Sequence, residues 1–170
     1  MIEVRRATPA DGTAVGEIHA ASWAAAYAPF FTEAFSAGQI QSRRTRWHDR
    51  LLNPQGTVLL ALVDTHPAAM TWLNESETRP GVAEILSFYA HPNAWGTGAA
   101  PTLMTQTLQT LRSQGFPKAH LWTLQATPQS RRFYTRSGFT ETGRTQSRDF
   151  GDGNPLAQVE YERQLVAQGV

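Results

Sequence analysis

The sequence predicts a mixed α/β domain, a single sheet with helices on both faces, and three observations lead there. Short β-rich runs and amphipathic helical stretches follow one another as strand, two helices, several strands, then helix, strand, helix and two strands. A glycine turn, Trp95-Gly96-Thr97-Gly98-Ala99-Ala100, joins a strand directly to a helix. The chain has 170 residues, 41% of them hydrophobic and 17% charged, enough for one substantial core.

Ile2 to Arg6 alternates apolar and charged residues as an opening strand does. Thr8-Pro9-Ala10-Asp11 then offers an N-cap, a proline for the first helical position and a carboxylate for the first turn, so a helix is expected from about Pro9 to Ala26. Phe35, Ile40, Trp47 and Leu51 mark a second helical stretch from about Thr32 to Leu52, closed by Asn53-Pro54-Gln55-Gly56. Thr57 to Val63 and Ala68 to Asn74 read as a hairpin around Asp64-Thr65-His66-Pro67. After a polar turn, Glu84 to Ala90 is the next strand, and Leu103, Met104, Thr107, Leu108 and Leu111 keep helical spacing until Gly115. Ala119 to Leu124 is a strand and Pro128 to Ser137 a short helix. Phe139 to Arg144 and Ala157 to Arg163 form a closing antiparallel pair. One domain over 1–166 with a short tail at 167–170 is expected.

The formal charge of +1 provides no overall pull toward nucleic acid or anionic membrane. No apolar run approaches the roughly 20 residues of a membrane span, and MIEVRRATPADG lacks the apolar core of a signal peptide, so a cytoplasmic location is expected. Zero cysteines exclude thiolate metal sites and a cysteine-linked acyl-enzyme. His19, His48, His66, His91 and His120 show no metal-ligand spacing, and no metal is expected.

The glycine turn fits neither of two familiar phosphate patterns. No Lys-Ser/Thr pair follows it, as a P-loop requires, and the third glycine position of the dinucleotide fingerprint is Pro101. The physics of anion binding still applies, because small residues let backbone N–H groups approach a pyrophosphate and a helix start presents free donors. Pro101 is tolerated in a first turn, where its missing N–H has no helical partner. A simple strand-to-helix turn is the structural alternative.

Gly98 and Ala100 match the small positions of Gln/Arg-x-x-Gly-x-Gly/Ala, with Trp95 in place of Gln or Arg. Leu121-Trp122-Thr123-Leu124, Arg131-Arg132-Phe133-Tyr134 and Gly138-Phe139 form a second motif over nineteen consecutive positions. Together these segments resemble the cofactor core of the GNAT (Gcn5-related N-acetyltransferase) superfamily, and the element order is similar to that of its fold. The resemblance implies an α/β GNAT fold, a single mixed, mostly antiparallel sheet splayed at the cofactor strand, and an enzyme passing an acetyl group from acetyl-CoA to an amine.

It also implies residue roles. Ala83-Glu84-Ile85 stands where one branch of the superfamily carries its general base. Direct attack needs a neutral amine, and an alkylamine with a pKa of about 10 is protonated at pH 7, so Glu84 would accept its proton; the alternative is an exposed strand residue with a cross-strand partner. Tyr134 would protonate the departing thiolate, or else pack with Phe133 against the sheet. Phe88, Tyr89 and Ala90 would pair with the pantetheine arm and stabilise the developing oxyanion. Trp95, Gly96, Thr97, Gly98, Ala99 and Ala100 would hold the pyrophosphate. Thr127 replaces a common asparagine on the pantetheine arm, and Arg131 would reach the cofactor phosphates or stay an exposed helix arginine.

The acceptor side reads Ser22-Trp23-Ala24-Ala25-Ala26-Tyr27-Ala28-Pro29-Phe30-Phe31, similar to segments of uncharacterised bacterial members. Trp23, Tyr27 and Phe30 are candidate contacts for an apolar or cationic amine; the alternative places Trp23 and Phe31 in the core, with Tyr27 and Phe30 supporting the turn. Arg43-Arg44 either holds a carboxylate or pairs on a solvated helix face. A small-molecule amine is the expected substrate. The alternatives are a protein amino terminus or a noncatalytic acetyl-CoA sensor, and a homodimer is an expected assembly.

Overall fold

The computed structural model describes residues 1–165; the tail expected at 167–170 lies outside the described residues. Seven strands form an open sheet in the order β1-β2-β3-β4-β5-β7-β6. They are β1 (Ile2–Arg6), β2 (Thr57–Val63), β3 (His66–Glu75), β4 (Ala83–Ala90), β5 (Lys118–Leu124), β6 (Thr140–Arg148) and β7 (Leu156–Gln164). The helices are α1 (Gly12–Ala26), α2 (Glu33–Thr45), α3 (Trp47–Leu52), α4 (Ala99–Ser113) and α5 (Pro128–Arg136). Most pairs are antiparallel, while β4 and β5 run parallel with Ala83 opposite Ala119 and Glu84 opposite His120. The chain divides into two compact units. Met1–Asn74 with Ser87–Thr107 makes the first, and Glu75–Leu86 with the chain from Leu108 onward makes the second.

In the first unit, the Thr8 signal gives a 3-10 turn at Pro9–Asp11 that leads into α1. Asp11 accepts from the Thr8 N–H at 2.8 Å and takes both arms of Arg5 at 2.8 Å, which holds its carboxyl at about 2. Val15 and Ile18 of α1 pack with Trp47, Leu51, Val58, Leu60 and Met70 to make the core. Each such side chain contributes about 1.5–3 kcal/mol on burial. Gly16 explains how α1 meets α2, since a Cβ there would overlap the carbonyl oxygen of Arg44.

The long second helix divides at Arg46. Thr45 Oγ1 bonds the Gln41 carbonyl at 3.1 Å and Arg46 Nε the Ser42 carbonyl at 3.2 Å, side-chain bonds that compete with the helical ladder. The break turns Trp47 inward, where its Nε1 donates to His19 Nδ1 at 3.0 Å. The first hairpin is tighter than expected. Asp64 and Thr65 both take left-handed φ, 46° and 71°, so a two-residue turn suffices and β3 starts at His66. Pro67 then lies inside the strand opposite Leu62, beside a register shift at Ala61/Leu62 that accommodates a residue without an N–H.

In the second unit, β5 pairs with β7 over its whole length and β6 closes the sheet on β7. Phe139, Tyr134 and Tyr161 supply its aromatic core, with the Tyr134 ring centroid 6.1 Å from each of the other two. Among the described residues, no helix is long and apolar enough to cross a membrane.

Candidate active site

Glu84 is the second residue of β4, between buried Ala83 and buried Ile85, so the strand's alternation directs it to the opposite face. Its side chain keeps 18% exposure, and its Oε1 lies 3.3 Å from Nε2 of His120, its register partner on β5. Burial raises the carboxyl above its ordinary 4.5, with Glu77 and Glu160 adding to the rise and the electrostatic interaction with His120 opposing it. The result is a carboxylate with one edge in solvent and more proton affinity than a surface glutamate.

His120 is fully buried and belongs to a polar cluster of the second unit. Its Nδ1 lies 2.9 Å from Glu160 Oε2 and its Nε2 2.8 Å from Ser76 Oγ. Glu160, also buried, accepts from Thr142 Oγ1 at 2.8 Å and Arg144 Nε at 2.9 Å, with Arg79 at 3.4 Å. Burial pushes the Glu160 carboxyl up, but the bonds from Thr142 and His120 and the charges of Arg144 and Arg79 prevail and hold it low.

Tyr134 sits on α5 and is 8% exposed, with its ring 5.5 Å from Phe133 and 6.1 Å from Phe139 and Tyr161. Thr127, just before the helix, donates its hydroxyl to the Leu124 carbonyl at 2.8 Å. Arg131 uses all three nitrogens within the protein: Nε to the Tyr161 hydroxyl, Nη1 to the Gln125 carbonyl and Nη2 to Glu141, at 3.2, 3.1 and 3.0 Å. Its position is thereby fixed by the strands it caps.

In the first unit, β4 ends with Phe88, Tyr89 and Ala90, all partly buried. Tyr89 stacks on His19 at 4.6 Å, and the Ala90 carbonyl accepts from Ser22 Oγ at 2.8 Å and from Trp95 Nε1 at 3.2 Å. Trp95 thus ties the turn back to the strand end while staying 52% exposed. Gly96 and Gly98 both adopt left-handed φ, 80° and 88°, which only glycine takes without strain. A Cβ on Gly96 would meet nothing within 4 Å. Thr97 Oγ1 bonds the Ala94 carbonyl at 2.6 Å, Ala99 is buried as α4 begins, and Ala100 and Pro101 complete its first turn. Open space beside a glycine turn, small residues and a fifteen-residue helix start fit a pyrophosphate.

The aromatic segment of α1 divides by burial. Trp23 has no exposed surface; it stacks on Phe31 at 5.5 Å and carries Arg43 over its ring at 4.7 Å. Tyr27 is half-buried and tilted against Trp23 at 5.7 Å, and Phe30 is exposed. Of the arginine pair, Arg44 joins Glu17 at 3.1 Å on a solvated face, whereas Arg43 is buried.

Comparison with known proteins decides the family. The profile of the acetyltransferase (GNAT) family matches residues 20–139. The chain belongs to the GNAT family. It is therefore an N-acetyltransferase that uses acetyl-CoA. An uncharacterised N-acetyltransferase of Mycobacterium tuberculosis is 29% identical over 118 residues, covering 69% of this chain and 73% of the relative. Among solved GNAT structures, PaiA N-acetyltransferase from Thermoplasma acidophilum, in complex with coenzyme A, superposes with a TM-score of 0.75 at 19% identity, covering 96% of this chain and 99% of that one. YncA from Salmonella typhimurium, solved with acetyl-CoA, gives 0.71 at 20% identity, covering 100% and 97%. These two likenesses show the GNAT fold.

Sequence reasoning missed His120 and Glu160 in this GNAT chain. Metal-ligand spacing does not pick out His120, and none of the sequence motifs contains Glu160. The available signal was a polar residue between apolar neighbours in each strand, His120 between Ala119 and Leu121 and Glu160 between Val159 and Tyr161.

Proposed function

We propose that this GNAT enzyme acetylates the primary amine of a small molecule by direct attack, with Glu84 as general base and Tyr134 as general acid. The observation that carries the reading is the Glu84 carboxyl, partly withdrawn from water, raised in proton affinity and still open along one edge. Acetyl-CoA supplies the acetyl thioester. Phe88, Tyr89 and Ala90 hold its arm, and Trp95, Gly96, Thr97, Gly98, Ala99 and Ala100 hold its pyrophosphate, with Thr127 and Arg131 as flanking contacts. Glu84 takes the ammonium proton that blocks attack, and the Tyr134 phenol gives its proton to the leaving sulfur.

On the acceptor side, Tyr27 and Phe30 have the exposure to meet a substrate, and Trp23 supports Tyr27 from the core. Two aromatic faces without an acidic cluster suit an amine with an apolar body more than a polyamine. The test is thiol release from acetyl-CoA with tyramine, 2-phenylethylamine, spermidine or an alanine-starting peptide. Faster turnover with the two arylalkylamines supports the reading. Turnover with the peptide alone would replace it by amino-terminal acetylation of proteins.

A further inference from the structure

His120 is a fully buried titratable group to which Glu84, Ser76 and Glu160 all direct polar atoms. The bonding of Ser76 sets its tautomer. Ser76 Oγ accepts from the N–H groups of Thr78 and Arg79, at 3.3 and 3.2 Å, which occupies both lone pairs of a hydroxyl. Its own proton is left to give, and His120 Nε2 at 2.8 Å is a nearer taker than Thr78 Oγ1 at 3.3 Å. Nε2 is then an acceptor, so the ring proton sits on Nδ1 and is donated to Glu160 at 2.9 Å. The neutral ring has one lone pair on Nε2; when the Ser76 hydroxyl turns its proton to Thr78 Oγ1 at 3.3 Å, that lone pair is free for a proton from Glu84, 3.3 Å away.

We propose that His120 is a second proton acceptor behind Glu84: a proton that Glu84 takes from the substrate amine passes on to His120 Nε2, and the Glu160 carboxylate holds the imidazolium. The proposal rests on Glu84 being the base. Its chemical motive is a proton count. A primary ammonium loses two protons on becoming an amide, and one carboxylate stores one. Once the first has moved from Glu84 to Nε2, Glu84 is again an anion and can take the second. Of these two protons, one replaces the proton that Tyr134 gave to sulfur and the other leaves to solvent along the exposed edge of Glu84. The ring returns to neutral, and no electrons are exchanged.

The charges around the ring favour this shuttle. Glu84 faces it from β4 and Glu160 from β7. Arg144 of β6 and Arg79 of the loop after β3 keep Glu160 ionised, Arg79 also touches Glu162 at 3.0 Å, Lys118 touches Glu162 at 3.5 Å, and Glu77 acts on Glu84. Glu160 is thus an anion in direct contact with Nδ1, as a stabilised imidazolium requires.

Two measurements test the proposal. Nitrogen-15 NMR of histidine-labelled full chain, from about pH 5 to about pH 9, reads the tautomer of His120 without substrate. Protonated Nδ1 with bare Nε2 in the neutral ring is expected, and the opposite tautomer overturns the proposal even if His120 variants fail to fold. In thiol-release assays with tyramine, His120→Gln is expected to lower kcat at least tenfold. The loss should fall on kcat, with KM for tyramine and acetyl-CoA affinity kept, because His120 touches neither substrate. A wild-type kcat in His120→Gln, beside a slow Glu84→Gln, would overturn the shuttle alone. A wild-type rate in Glu84→Gln would overturn the base assignment on which it rests.

Discussion

Glu84 and His120 are register partners in the parallel β4/β5 pair, and their side chains meet at 3.3 Å. Partners in register project from the same face of a sheet, so pairing these two strands suffices to bring a carboxylate and an imidazole together. Glu160 joins them diagonally, being opposite Trp122, two residues along β5 from His120.

The raised proton affinity of Glu84 has a thermodynamic consequence. An acid whose folded pKa exceeds its unfolded value binds protons more tightly when folded, so its contribution to stability falls as pH rises above the ordinary 4.5. At pH 7 the ionised carboxylate therefore opposes folding. Glu84→Gln is expected to melt at or above the wild-type temperature at neutral pH, with the difference closing below 4.5. Thermal denaturation against pH reads this directly, and a fall of more than about 4 °C at pH 7 would show the carboxylate to be structural.

Tyr134 is 8% exposed among three aromatic neighbours, so its ring has a packing role whatever its hydroxyl does. Tyr134→Phe keeps the ring and removes the proton. Turnover is expected to fall tenfold or more with acetyl-CoA affinity unchanged and the melting temperature within about 4 °C of wild type. Unchanged turnover would leave Tyr134 with packing alone.

Gly98 sits at φ 88°, and an added Cβ would make only an ordinary contact with Ile2 at 3.5 Å. The cost of Gly98→Ala is therefore in the backbone, about 1–2 kcal/mol for an L-residue held left-handed. Relief of that strain reshapes the turn, and acetyl-CoA affinity measured by calorimetry is expected to drop at least tenfold. Affinity equal to wild type would separate this turn from cofactor binding.

Most of the fold was legible because its signals are local. Thr8-Pro9 opened the first helix, Gly98 and Pro101 opened α4, Gly115 closed it, and Gly138 preceded β6, each through backbone freedom or its loss. The division at Arg46 and the two-residue turn at Asp64-Thr65 were not, since both depend on tertiary demands: an inward Trp47, and strands twisted enough to hold Asp and Thr left-handed. The polar cluster was hidden for a related reason. Glu84, His120 and Glu160 are distant in sequence, and only strand register unites them. Trp23 shows the reverse limit, because an aromatic run reads alike whether it lines a pocket or fills a core, and zero exposure assigns this ring to the core.

The central claim is that Glu84 is the base, and the most direct test is kcat/KM for tyramine against pH in wild type and Glu84→Gln, with acetyl-CoA binding checked by calorimetry. The wild-type acid limb is expected above 4.5, and Glu84→Gln should lose at least tenfold at neutral pH, about 1.4 kcal/mol of transition-state stabilisation, while binding acetyl-CoA normally. A Glu84→Gln enzyme with wild-type kcat/KM and an unmoved acid limb would contradict it.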